Sequence, residues 1–225
     1  MNRLHRRHIL ALSGALAALP AAALFAAAPA LAEDKKPEYV NTGVLNKQPD
    51  IGDRAIGKDD APVTIIEYAS ATCPHCAEFH EKTWPEIKKK YVDTGKARFI
   101  FREFPLDQLA LAAFMLMRCA PKDKYHPMLG LIMKTQRTWV KNPKTELLKI
   151  AKLAGMTEAD FNACIKNQKL ANSIVGISKD ANRDFGVNST PTFFINGRRA
   201  VGDMGPEEFG KIIDEELKKA QKAKG

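Results

Sequence analysis

The chain has 225 residues, of which 35 are Lys or Arg and 26 are Asp or Glu, giving a formal net charge of +9. That length suits one domain, or one domain carrying a sizeable insertion. The lysines are scattered or gathered in the tail Glu215–Gly225, without interleaved aromatic residues. The charge therefore reads as a solvated face and excludes a nucleic-acid surface.

In chain order, a basic start with Arg3, Arg6 and Arg7 leads into an apolar run from Ile9 to Ala28, and then into Ala30-Leu31-Ala32. This is the layout of a secretory signal peptide cleaved after Ala32. The run approaches spanning length, so an uncleaved anchor is the other reading; its Ala-rich composition and the cleavage site favour removal. No cysteine follows the cleavage point, which argues against a lipid anchor, and Arg6-Arg7 is compatible with twin-arginine export. Cleavage removes three basic and no acidic residues and leaves a net charge of +6. All four cysteines (Cys73, Cys76, Cys119 and Cys164) lie in the exported part, where an even count favours disulfides. Residues 33–53 are polar, contain Pro37 and Pro49, and read as a tether with little structure.

Ala61–Ser70 is β-branched and almost wholly apolar, the pattern of a central, buried strand. After Cys73, apolar residues recur at helical spacing through Phe79, Trp84, Ile87 and Tyr91, and Pro85 should kink or restart that helix. Lys96–Pro105 is a second strand, so the order is βαβ. Residues 107–185 are helical in period throughout. They divide into one helix from Leu106 to Ala120, a single helix from Tyr125 to Trp139, and one from Pro143 that ends at Gly155. Thr157 with Asp160 forms a capping box for a fourth, and a fifth runs from Leu170 to Phe185 with Gly186 as its stop. Thr192–Ile195 and Arg198–Val201 then flank Asn196-Gly197, a strong tight-hairpin signal, and Pro206 opens the last helix.

Cys73-Pro74-His75-Cys76 admits four readings. A structural zinc site needs four ligands, typically from two paired motifs, and there is one CxxC. Haem attachment needs His after the second cysteine, where Ala77 stands. A purely structural disulfide over two intervening residues gains little. The redox reading has a physical basis. Cys73 falls where a strand gives way to a helix, and the free N–H groups and dipole there favour a thiolate. Protonated His75 adds positive charge, and Pro74 pre-sets the first turn. Each effect draws Cys73 below the ordinary thiol pKa of about 8.5, and a stabilised thiolate makes the disulfide oxidising.

The βαβ and ββα halves, the CxxC at the first helix and "TPTFFING" at residues 190–197 resemble the thioredoxin fold with an inserted helical block. With Cys-Pro-His-Cys, residues 56–217 resemble the DsbA family of secreted thiol:disulfide oxidoreductases. The resemblance implies an α/β fold with the thioredoxin-like part at residues 54–106 and 186–225 and the inserted helical subdomain at 107–185. It implies that Cys73 is the nucleophile, Cys76 the resolving thiol, and Pro74 and His75 the tuning pair. Pro191 would be the family's cis-proline, and Thr190 would pair its backbone with an extended substrate. Glu67 matches a buried acid that moves protons, the alternative being a Glu on an exposed strand edge. Cys119 and Cys164 would form a second, structural disulfide, the alternative being two buried free thiols.

By the same resemblance, no cofactor or metal is implied. The partners would be reduced secreted proteins and a DsbB-type membrane reoxidase, and the protein would be a periplasmic monomer. Threonine at position 190 is a departure from the best-known oxidases of the family and is shared with isomerases. It keeps an isomerase or reductase as the alternative to an oxidase. A peptide-holding or copper-handling module stands as the non-enzymatic alternative.

Overall fold

The computed structural model describes residues 38–223; the signal-peptide segment expected at residues 1–32 lies outside them. The chain forms a short helix α1 (Thr42–Leu45), then strands β1 (Arg54–Ile56) and β2 (Val63–Ala69). The helical stretch after Cys73 comprises α2 (Pro74–Glu78) and α3 (Trp84–Ile87), each followed by a π-helical turn, and leads to β3 (Ala97–Glu103). The inserted block holds α4 (Gln108–Cys119), α5 (Tyr125–Lys134), α6 (Gln136–Trp139), α7 (Pro143–Leu153), α8 (Glu158–Ile165) and α9 (Gln168–Phe185). Strands β4 (Thr192–Ile195) and β5 (Arg198–Val201) and helix α10 (Pro206–Lys222) complete the fold.

The sheet order is β1-β3-β2-β4-β5. β2 and β3 run parallel, with Glu67 opposite Phe101, while β4 runs antiparallel to β2, with Glu67 opposite Phe193. Helices cover both faces of β2, which is why it reads as nearly continuous apolar sequence. Alternation assigns its side chains to two cores. Val63, Ile65 and Ala69 join the larger core beneath α2 and α10, and Ile66 and Tyr68 join a smaller one against α1 and α9. Glu67 is in phase with Ile65 and Ala69, so the pleat points a carboxylate into the larger core under the cysteines.

Pro85 restarts the helix as expected: the π turn Phe79–Thr83 widens the helix just before it, and α3 carries the proline in its first turn. The single helix expected over Tyr125–Trp139 is instead two. Thr135 breaks it, its Oγ1 donating to the Leu131 carbonyl at 2.7 Å in competition with the backbone ladder. The capping box at Thr157 and Asp160, the left-handed Gly186 stop and the Asn196-Gly197 hairpin all form. The Cys119–Cys164 disulfide is present and ties α4 to α8.

The polar segment after residue 37 differs from a loose tether. Arg102 on β3 donates to the carbonyls of Leu45 and Lys47 and grips Asp53 through Nε at 2.9 Å. Its neighbour Arg118 reaches the carbonyls of Ile51 and Gly52. Val40 N–H donates to the Gly197 carbonyl at 2.9 Å, and a Cβ at Gly197 would come within 3.0 Å of the Val40 carbonyl oxygen. Glycine at 197 therefore serves the turn and this close approach together. The segment ends in β1, an edge strand antiparallel to β3.

Candidate functional site

Cys73 is the N-cap of α2, in extended backbone, with Pro74 at the first helical position. Pro74 has no N–H to leave unpaired, and the N–H groups of the next residues point back at the cap. Both cysteines are free thiols; Cys73 is 6% exposed and Cys76 is fully buried. The Thr190–Pro191 peptide bond is cis, and Thr190 faces Cys73 across the site, its carbonyl oxygen 3.3 Å from Cys73 Sγ.

The two thiols are driven apart in acidity. Cys73 is lowered to about 5, first by the Cys76 thiol donating to its sulfur, then by Thr190 and by the backbone N–H groups of Cys76 and His75, against an opposing push from burial. The two contacts with Thr190 pull in opposite directions. The carbonyl accepts from a Cys73 thiol and favours it. The hydroxyl is buried with no hydrogen-bond partner and is free to donate to a thiolate, which lowers Cys73. The hydroxyl governs the ionised form because a thiolate has no proton for the carbonyl. Cys76 is pushed well above an ordinary thiol by burial, by its bond to Cys73 and by the negative charge of Glu67. One sulfur is thus held as a nucleophile and the other as a protonated reserve.

His75 lies where the motif places it. Its imidazole is exposed and turned to Asp203, Nδ1 to Oδ2 at 3.1 Å, and that carboxylate raises its pKa. His75 reaches Cys73 through its backbone N–H, and the Cys73 thiolate in turn helps to raise the imidazole. His75, Glu78 and Asp203 bring ligand atoms within 4.8 Å of one another and could between them hold a cation, although Glu78 is already paired with Lys82.

Glu67 is fully buried, away from any exposed edge, and its Oε2 meets His80 Nε2 at 2.9 Å. Gln136 on α6 donates to the carbonyls of both Ala71 and Cys73 at 2.9 Å, fixing the loop that presents the nucleophile. Thr83 Oγ1 donates to the Met204 carbonyl and ties the loop carrying Asp203 to the helix of the cysteines. Gln136, His80 and Asp203 were not singled out in the sequence. His80, four residues after Cys76, carried the one usable signal, since that spacing keeps it near the buried side of the same helix.

A CxxC at a helix start, an acidic thiol set against a buried one, and a facing cis-proline define a thiol:disulfide exchange centre on a thioredoxin fold. Residues 50–215 match the thioredoxin family. The chain is 33% identical over 193 residues to a candidate protein-disulfide oxidoreductase of Rickettsia prowazekii, covering 83% of this chain and 71% of the relative. It is 27% identical over 193 residues to disulfide bond formation protein D of Bacillus subtilis, covering 82% and 86%. Among solved structures, Wolbachia pipientis alpha-DsbA1 superposes with a TM-score of 0.74 at 34% identity, covering 81% of this chain and 99% of that one. The chain belongs to the thioredoxin family and within it is a DsbA-type thiol:disulfide oxidoreductase.

Proposed function

We propose that this oxidoreductase works as an oxidase, donating the Cys73–Cys76 disulfide to newly exported proteins. The observation that carries the reading is Cys73 at the N-cap of α2 with Thr190 facing its sulfur, an arrangement that draws the thiol down to about 5. A stabilised thiolate is a stabilised reduced form, so the disulfide is the form that gives way. A substrate thiolate attacks Cys73 Sγ, the Cys73–Cys76 bond breaks, and Cys76 leaves as a thiolate that takes up a proton. A second substrate thiolate then attacks the mixed disulfide at the substrate's sulfur. The substrate departs oxidised, the enzyme holds two electrons more, and Cys73 leaves as its stable thiolate.

In this reading Cys73 is the nucleophile, Cys76 the resolving thiol, Pro74 and His75 the tuning pair, and Glu67 the proton partner of Cys76. Thr190 and Pro191 form the substrate-facing wall. Residues 54–106 and 186–225 are the thioredoxin-like part, and 107–185 the inserted helical block. The cycle closes through a DsbB-type membrane reoxidase, and the protein acts as a monomer outside the cytoplasm after loss of residues 1–32. Among the described residues no helix is long and apolar enough to cross a membrane. A second reading, isomerase or reductase, is favoured by the polar Thr190 hydroxyl beside the nucleophile.

The test is a trap combined with a redox census. Cys76→Ser should accumulate mixed disulfides with exported proteins through Cys73, and the wild-type pair should be largely oxidised in cells. A wild-type pair found mostly reduced would transfer the assignment to the isomerase or reductase. Absence of any mixed disulfide would remove the enzymatic reading altogether.

A further inference from the structure

Burying Cys76 creates a transport problem. Its sulfur gains a proton each time the enzyme gives up its disulfide and loses one each time the disulfide is restored, yet its surface is 0% exposed. Glu67 is equally closed to water, with a side chain 0% exposed. A buried carboxylate beside a buried thiol can pass protons in and out only if a group in reach of water supplies and removes them. Glu67 has two oxygens in different situations. Oε1 is buried with no hydrogen-bond partner, while Oε2 is held by His80 Nε2 at 2.9 Å. The His80 side chain keeps 3% of its surface, so of the two groups only His80 touches the outside.

We infer that His80 is the positioning residue through which Glu67 exchanges protons with solvent, so that Cys76, Glu67 and His80 form a relay from the buried sulfur to water. The inference rests on the reading of Glu67 as proton partner of Cys76. When a substrate thiolate opens the disulfide, Cys76 leaves as a thiolate and takes up a proton that His80 Nε2 passes to the Glu67 carboxylate and Glu67 passes on. Water then resupplies the imidazole, and Glu67 ends as the carboxylate it began. On reoxidation the same proton travels outward as the Cys73–Cys76 bond re-forms and the oxidant's thiolate departs. Each half-cycle moves one proton, forms one S–S bond and breaks one.

The local fold supports this assignment. His80 follows Cys76 by four residues and sits in the π turn Phe79–Thr83, where the helix widens; such turns recur at functional sites. Phe79, Trp84, Phe99 and Phe101 surround its ring, so no other acceptor is offered on those sides. Among the described residues, Cys76 on α2 feels the charge of Glu67, and His126 on α5 feels that of His80. His126 is lowered to about 4 by burial and by the neighbouring charges of His80 and Arg54. It is therefore neutral near pH 7 and does not compete for the proton.

The experiment isolates the Cys76 step. Reduced enzyme is mixed with excess oxidised glutathione in stopped flow. The unimolecular attack of Cys76 on the Cys73–glutathione disulfide is followed from pH 5 to 9 in wild type, Glu67→Gln, His80→Gln and the double variant. Proton transfer by a placed side chain is worth 10²–10⁴-fold, so His80→Gln should slow this step by at least about tenfold and displace its pH profile. The double variant should be no slower than Glu67→Gln alone. If Glu67→Gln is slow while His80→Gln keeps both rate and profile, the relay is overturned and the Glu67 reading survives. If both variants behave as wild type, the Glu67 reading has failed and takes the relay with it. Slowing by His80→Gln with an unchanged profile assigns a packing role and also overturns the proposal. Should His80→Gln not fold, the wild-type imidazole answers by NMR: its resonances should shift when the cysteine pair is oxidised, and an unmoved ring refutes the relay.

Discussion

The acidity of Cys73 makes a prediction about stability that can be worked from the structure. The thiol is lowered from 9.0 to about 5 in the folded, reduced protein. A depressed pKa contributes stability to the reduced form in full above pH 9, less as pH falls, and none below about 5. At pH 7 two units of that interval are in force, worth at most about 3 kcal/mol at 1.36 kcal/mol per unit. Water reaching the open side of the sulfur reduces this. At 30 mV per 1.4 kcal/mol, it makes the disulfide up to about 60 mV more oxidising than an ordinary pair. Cys76, held protonated by burial, adds no slope over this range. The assay is guanidinium unfolding of oxidised and reduced protein from pH 4 to 8. Groups common to both forms cancel in the difference, and the constraint of the disulfide on the unfolded chain is independent of pH. The reduced form should gain on the oxidised form steadily from pH 5 to 8 and not at all below 5. A difference that is flat over that range, or that grows as pH falls, would refute the thiolate argument and the oxidase reading built on it.

Replacing Cys119 and Cys164 by Ala opens a cross-link between residues 45 apart, which the chain-entropy model values at about 4 kcal/mol. Denaturant unfolding should register the loss, while the potential of Cys73–Cys76 stays put. Arg118→Met should cost about 3–5 kcal/mol, because it strands the buried Glu103 carboxylate now held by Nε and Nη2 of Arg118; an unchanged denaturation midpoint would contradict this. Gln136→Leu should cost about 1–3 kcal/mol by orphaning the Ala71 carbonyl and leaving the Cys73 carbonyl to the Ala77 N–H alone, and should slow attack at Cys73 in the glutathione assay. Asp203→Asn removes the carboxylate that raises His75, so the imidazole should titrate at lower pH by NMR; equal titration in both proteins would dismiss the pair.

How legible each part was in the sequence depends on how far away its cause lies. Cys73 at a helix start, the Thr157–Asp160 box and the Asn196-Gly197 hairpin are caused by residues within four positions, and each stands where the pattern puts it. β2 is longer-range but is buried on both faces, so composition alone betrays it. The segment from Glu38 to Ile56 has its causes elsewhere. Its carbonyls are collected by Arg102 and Arg118, and Tyr39 donates to the nearly buried Glu216 at 2.5 Å, 177 residues on. Nothing within the segment signals that these partners exist, so its polarity reads as looseness. β1 is too short for alternation to show, and it is a strand because β3 offers an edge. The site divides in the same way. Cys73, Pro74 and Cys76 announce themselves through spacing, and the phase of β2 turns Glu67 inward. That Glu67 meets His80, and that His75 spends its ring on Asp203, depends on how a helix lies across a sheet and where a loop returns. An imidazole takes the role its nearest carboxylate leaves it: His80 is closed in with Glu67, while His75, open to water, pairs with Asp203 and reaches the thiolate through its backbone N–H and its charge.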